Sequence, residues 1–344
     1  MRTFNYREIP LKLLSGSYHD ALVRLYEDRG KLGMLKQLAP EALDEMRARA
    51  RMENTDASQH IDGLYLEASR MRALAAGATP LNDLESQAVG YAKVLERIGE
   101  NAADMELSTS TIVSFYESMY GHRGLGTKSR YRKKDYQYVQ VDGHMQAMPV
   151  SPITAFETPL VLGGACDSLA EAFDADPRNA LILSAMFTVD FLCIRPFDEG
   201  NGRISRLFAE LMLAKAGFDV ALYESLDRVI EGQAMEYYDA LNGCVERWDR
   251  AGNTYEPYLK YWLDVVHEAY TRLFARLDVA RANSKGERIE ACVRSAGGPI
   301  TKRQLLEANP DVSEAMVENV LGRMVKEGSA AKVGAGRSTA YVAL

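Results

Sequence analysis

The chain has 344 residues, of which 47% are hydrophobic and 26% charged, with a formal net charge of −7. That length supports a large core and more than one folding unit, and the acidic balance argues against a protein built mainly to wrap nucleic acid or lie on anionic lipid. The four cysteines (Cys166, Cys193, Cys244 and Cys292) include no CxxC pair, which suits neither a disulfide framework nor a zinc site and leads us to expect a cytoplasmic protein.

From the N-terminus, Met1–Leu14 mixes Arg2, Arg7, Glu8 and Lys12 with isolated apolar residues and does not read as a signal peptide. Apolar residues then recur at helical spacing in Tyr18–Leu32, Pro40–Met52, Ser58–Leu74, Asp83–Asn101 and Thr109–Tyr120. Tyr136–Val141 breaks the pattern by alternating aromatic or branched residues with glutamine. The Asp142-Gly143 turn signal follows, so a short β-hairpin is predicted there. Helical texture resumes in Pro159–Phe173, Asn179–Ile194, Ile204–Ala216, Gln233–Trp248 and Tyr255–Leu277. Ala180–Ile194, the most apolar stretch, carries Ser184, Thr188 and Asp190, is too short to span a bilayer and reads as a buried central helix. No membrane association is expected.

The C-terminal segment changes character. Ile289–Arg294 reads as a helix, Thr301 caps a second one, and Ser313 caps a third with Met316, Val317, Val320, Leu321 and Met324 on one face. Gly328 ends that helix, and the strand-like runs Ala330–Val333 and Thr339–Val342 follow, a winged-helix pattern. From Gly286 to Leu344 there are eight Lys/Arg against seven Asp/Glu, and the would-be recognition helix opens with Glu314 and Glu318. That charge gives DNA binding weak support, and a small docking module is at least as good a reading.

Chemistry concentrates between Arg195 and Arg206, in the run Arg-Pro-Phe-Asp-Glu-Gly-Asn-Gly-Arg-Ile-Ser-Arg. A buried helix ends at Pro196 and another begins near Gly202. Gly200 and Gly202 let the backbone turn tightly and approach a ligand. The amides at the second helix's start form an anion site. Arg203 and Arg206, three apart, project from one helical face toward phosphate oxygens. Glu199 beside them suits Mg²⁺, which commonly bridges one carboxylate and a nucleotide's phosphates. The alternative, a capped helix–helix turn with surface arginines, explains these residues less well.

This run closely resembles the Fic family signature, His-Pro-Phe-x-(Asp or Glu)-Gly-Asn-Gly-Arg-x-x-Arg, departing only at its first position. Arg130–Val141 resembles the flap hairpin that clamps target segments beside the active site in Fic enzymes. Tyr237–Leu241 and the stretch from Trp248 to Trp262 look like the helices closing that fold. Ser58-Gln-His-Ile-Asp62-Gly63 resembles the family's inhibitory motif, (Ser or Thr)-x-x-x-Glu-(Gly or Asn), with Asp62 one methylene shorter than the usual glutamate. The resemblance implies an all-α Fic core with a flap hairpin and a C-terminal winged-helix domain. The corresponding domains are a helical leader over 1–104, a Fic core over 105–270, a linker helix over 271–285 and a winged-helix-like domain over 286–344.

It further implies transfer of AMP from ATP to a protein hydroxyl, with Glu199 on Mg²⁺, Gly200, Asn201 and Gly202 around the anion, and Arg203 and Arg206 on the phosphates. Ser58, Asp62 and Gly63 would supply the inhibitory element, Asp62 pairing with Arg206. The residue at position 195 would be the histidine that takes the hydroxyl proton. Arg195 has no acceptor lone pair and stays protonated, so ordinary transfer should be impaired or redirected. The alternatives are a nucleotide-binding pseudoenzyme and, third, a winged-helix DNA-binding regulator. The chain's histidines are His19, His60, His122, His144 and His267; of these only His144, at the tip of the flap hairpin, could approach the site, and a solvated turn residue is the better reading of it. A nucleotide and a target protein of unspecified identity are the expected partners, with a homodimer left open.

Overall fold

The computed structural model describes residues 2–8, 13, 18–38, 40–124, 130–135, 153–282, 285–296, 298–334 and 339–344. The predicted hairpin Tyr136–Val141, its turn Asp142-Gly143 and His144 lie outside the described residues. The chain divides into two compact units, Met1–Leu273 and Phe274–Leu344.

In the first unit the helices are α1 (His19–Leu38), α2 (Pro40–Ile61), α3 (Ala68–Ala75), α4 (Asp83–Asn101), α5 (Thr109–Tyr120), α6 (Thr158–Ala175), α7 (Ala180–Ile194), α8 (Asn201–Lys215), α9 (Leu226–Glu231), α10 (Ala234–Asn242) and α11 (Glu256–Ala282). The unit boundary falls within α11. Helix α7 is the axis of the core: all of its residues are buried, as an uninterrupted apolar run requires. Its polar side chains persist there because each has partners. Ser184 accepts a hydrogen bond from Trp262 Nε1 at 2.9 Å, and Asp190 accepts from Tyr6, Trp248 and Tyr255 while pairing with Arg2. The 18 residues Pro177–Ile194 have the length and composition of a membrane span, yet 83% of that run is buried inside the fold.

Helices α4 and α5 begin where the sequence places capping side chains. Asn82 accepts from the Glu85 amide and Ser108 from the Thr111 amide. The two helices cross at Gly90, where a Cβ would lie 2.1 Å from the Ser118 carbonyl oxygen. Only hydrogen fits in that space.

The expected helix over Ser58–Leu74 is not formed. Helix α2 runs on to Ile61, and Gly63 stops it with φ 75. The Gly63 amide returns to the His60 carbonyl and the Leu64 amide to the Gln59 carbonyl, the paired bonds of a glycine C-terminal stop. Ser58 therefore sits in the last turn of a helix, fully buried, and is not a cap. Asp62 occupies the C-terminal cap itself. The last helix of the unit, α11, extends beyond the expected Leu277, whereas α10 ends at Asn242, well before Trp248.

The second unit comprises α12 (Lys285–Ser295), β1 (Ile300–Thr301), α13 (Lys302–Ala308), α14 (Glu314–Lys326), β2 (Ala330–Val333) and β3 (Ala340–Ala343). Thr301 and Gln304 form a reciprocal capping box on α13, and Ser313 caps α14. The strands form an antiparallel sheet in the order β1-β3-β2, with Tyr341 opposite Ile300 on one side and Lys332 on the other. Strand β1 has no signature in the sequence, because two residues carry no alternation to read. Ile289, Val293, Leu305, Val317, Leu321 and Met324 make the small core. Glu318 pairs with Lys302, so part of the helix's acidic surface is already neutralised within the unit.

Candidate functional site

The loop between α7 and α8 is fixed from both sides. Arg195 caps α7 in the left-handed region (φ 47, ψ 67), its amide still bonded to the Phe191 carbonyl at 2.9 Å. A non-glycine residue there costs on the order of 1 kcal/mol, and a buried arginine compensates. Arg132 Nε donates to the Arg195 carbonyl at 2.9 Å, and the Arg132 amide donates to the Pro196 carbonyl at 2.9 Å. The same guanidinium reaches the carbonyls of Lys134 at 3.0 Å and Ile153 at 2.5 Å. Phe197 is fully buried and stacks on Tyr116, with ring centroids 4.3 Å apart.

Asn201 staples the loop. Its Oδ1 accepts from the Phe197 amide at 3.0 Å and its Nδ2 donates to the Phe197 carbonyl at 2.8 Å. Both ends of the Asn201 side-chain amide thus hold the turn that presents the helix. The two glycines act differently. Gly200 has φ 73, and a Cβ on it would lie 2.4 Å from the Tyr120 hydroxyl. Gly202 is helical and needs no special φ. Its bare Cα gives room to Asp62 Oδ1 and Arg206 Nη1, which a Cβ would approach to 3.1 and 3.2 Å.

Arg203 and Arg206 are both buried, and both reach Asp62. Arg203 donates through Nε to Asp62 Oδ2 at 3.0 Å, through Nη1 to Gln87 at 2.8 Å and through Nη2 to the Tyr120 hydroxyl at 2.7 Å. Arg206 Nη2 donates to Asp62 Oδ1 at 3.2 Å and to the Ser58 carbonyl at 2.9 Å, and Arg206 Nε lies 3.3 Å from Asp227 Oδ1. Asp62 thus divides its two oxygens between the two arginines. A carboxylate at a helix C-terminus opposes the helix dipole, so the position is tenable because two guanidiniums face it.

Glu199 lies on the exposed side of the loop, paired with Arg123. Arg123 also grips Asp83, through Nε at 2.6 Å and Nη2 at 2.5 Å, and holds the Asp83 carboxyl well below its usual range. His122 contacts the same carboxylate at 2.7 Å. As an exposed oxygen donor, Glu199 suits a hard divalent cation once Arg123 yields it. Among the described residues no group of three or more His, Cys, Asp or Glu could hold a metal unaided.

The described histidines have other places: His60 pairs with Glu231, His122 with Asp83 and His267 with Asp28, while His19 is exposed. Arg195, Glu199, Gly200, Asn201, Gly202, Arg203 and Arg206 line one loop and helix start; Ser58 in the last turn of α2 and Asp62 at its cap reach the arginines, while Gly63 only ends the helix. Arg132, Tyr120, Gln87, Arg123 and Asp227 escape sequence reasoning. An isolated buried arginine and scattered single polar residues have no spacing to betray them. A cavity of about 550 Å³ opens elsewhere, bounded by Met52, Met71, Leu74 and Val89 on α2, α3 and α4, and includes none of the loop residues.

Comparison with known proteins bears on the fold. Three solved structures share the fold: a Fic family protein from Desulfovibrio desulfuricans (TM-score 0.57, 20% identity, covering 94% of this chain and 96% of that one), a Fic-domain signalling protein from Bacteroides thetaiotaomicron (TM-score 0.59, 20% identity, 77% and 99%) and Fic-1 from C. elegans (TM-score 0.56, 16% identity, 77% and 73%). No curated protein matches the sequence. The Fic/DOC family model matches residues 106–213, which span α5 to α8 and include the whole loop, and the chain thus carries a Fic/DOC family domain.

Proposed function

We propose that this protein binds a nucleoside triphosphate, ATP, at the start of α8 and is built for AMP transfer to a protein hydroxyl, with transfer impaired because Arg195 stands where the proton acceptor should be. The observation that carries the reading is the convergence of Arg203 and Arg206, both buried, on a single partly exposed carboxylate, Asp62. Two desolvated guanidiniums sharing one small anion offer donors that phosphate oxygens would satisfy more fully. Asp62 thereby acts as an internal stand-in for phosphate and holds the site closed to it.

Each residue then has a task. The amides opening α8 and the two arginines bind and orient the polyphosphate. Asn201 and Phe197 keep the loop rigid, and Tyr120 and Gln87 aim Arg203. Glu199 would hold Mg²⁺, which when bound neutralises and orients phosphate oxygens. Arg195, permanently protonated, cannot accept a hydroxyl proton. Losing a positioned base removes about 10²- to 10⁴-fold of rate. It leaves positioning and charge stabilisation, the main contributions to phosphoryl-type transfer.

Isothermal titration of ATP with Mg²⁺ into the wild type and Arg203→Ala tests the placement. Clear weakening in the variant is expected, and equal affinity in the two proteins would place the nucleotide elsewhere.

A further inference from the structure

Arg206 faces two carboxylates of different character. Asp62 sits on the turn that ends α2, about a fifth of its side chain in water, and shares its oxygens with Arg203. Asp227 is buried, its side chain 1% exposed, at the start of α9. Tyr91 donates to Asp227 Oδ2 at 2.6 Å, and the Asp227 amide donates to Asn54 Oδ1 at 3.0 Å. Asn54 in turn accepts from the Ser225 hydroxyl at 2.7 Å and donates to Glu210 at 2.6 Å. Side chain and backbone of Asp227 are thus both fixed, whereas among the described residues the Asp62 side chain is hydrogen-bonded by the two arginines alone.

We propose, building on the nucleotide reading above, that Asp227 is the resident counter-ion and positioning residue of Arg206, so that Asp62 can leave without stranding a buried charge. With Asp62 in place, two arginines meet two carboxylates. With Asp62 withdrawn, Arg206 keeps Asp227 and its orientation, and the site carries one uncompensated positive charge for an incoming phosphate. Without Asp227, Asp62 would be the one carboxylate ion-paired with either arginine among the described residues, because burial favours the neutral form of nearby Glu210; its departure would leave Arg206 buried without an ion pair, a strongly destabilising condition. A single carboxylate could anchor Arg206 or release it, but not both.

A double-variant cycle on thermal unfolding of the full chain tests this, using Asp62→Ala, Asp227→Asn and their combination. Asp62→Ala alone should lower Tm only modestly, since its two contacts are partly in water and the helix C-terminus loses an unfavourable charge. The combination should lose far more than the sum of the single losses, and ATP should raise the Tm of the combination more than it raises that of Asp62→Ala, because the γ-phosphate replaces the missing anion. ADP should show no such excess. Additive losses, or equal ATP shifts, would overturn the proposal and reduce Asp227 to a member of the Tyr91–Asn54 network. Should the combination not fold, adding Arg206→Gln decides: removing the charge must restore folding, and failure to do so sinks the idea. If Asp62→Ala binds no nucleotide at all, the nucleotide reading fails, while the ligand-free cycle still decides whether Asp227 is the counter-ion.

Discussion

Replacing Asp62 with alanine should tighten ATP binding, and the structure sets the scale. The carboxylate makes two charge-assisted contacts, to Arg203 at 3.0 Å and Arg206 at 3.2 Å. Hydrogen bonds to charged groups contribute about 1.5–3 kcal/mol each when buried. Asp62 is partly in water, so about 1 kcal/mol per contact is the fairer figure. ATP must displace both, and removing that competition should be worth about 2 kcal/mol, or roughly 30-fold in Kd. ADP, lacking the γ-phosphate that competes for Arg206, should gain only about one contact's worth, roughly fivefold. Asp62→Glu should act oppositely and weaken ATP binding, because its added methylene reaches further toward Arg206. Folding should survive Asp62→Ala, since Gly63 and its backbone bonds end α2 and a helix C-terminus loses an unfavourable negative charge. Calorimetric titration of the three proteins with ATP and ADP at fixed Mg²⁺ is the assay. Identical ATP affinities would refute the idea that Asp62 occupies the phosphate position.

Gly200→Ala should lower stability by about 1 kcal/mol for the left-handed backbone alone. It should also push Tyr120 off Arg203, because the new methyl would lie 2.4 Å from the phenol oxygen, so ATP affinity should fall together with Tm. Arg132→Met should cost about 2–4 kcal/mol in chemical denaturation, since the carbonyls of Lys134, Ile153 and Arg195 lose their shared donor. Little or no loss would show that water replaces the guanidinium. Glu210 is buried against Asn54, Asp227 and Arg206, and burial raises its carboxyl well above the ordinary value of 4.5. A raised carboxyl pKa contributes stability that is complete below the unfolded value and lost as pH rises toward the folded one. Wild type should therefore lose stability from about pH 5 upward relative to Glu210→Gln, and parallel pH profiles would contradict this.

The sequence discloses the functional loop more fully than the architecture around it. Contiguity is the reason: Arg195 to Arg206 is one uninterrupted run, whereas Arg132, Gln87 and Asp227 are single residues brought in by tertiary packing. The buried helix α7 is legible because its composition has no polar face. The end of α2 is not, because apolar spacing continues through Leu64 and Leu66 while the glycine stop at Gly63 overrides it. The place of the Asn201 side chain is hidden for a related reason. A residue type states what hydrogen bonds are available, and only the fold shows that both ends are used on Phe197. Gly202 reads as a turn residue and proves to be a clearance, which depends on Asp62 arriving from more than a hundred residues away.

A phosphate site that lacks only its proton acceptor should regain transfer when that acceptor is supplied. The most direct measurement combines Arg195→His with Asp62→Ala and follows label from α-phosphate-labelled ATP onto the protein itself or onto proteins of a cell extract. Labelling should be strong in the double variant, weak or absent with Arg195 in place, and abolished again by Arg203→Ala. A double variant that binds ATP yet transfers no label would contradict this, and would leave a nucleotide-binding protein whose site has departed from transfer at more than position 195.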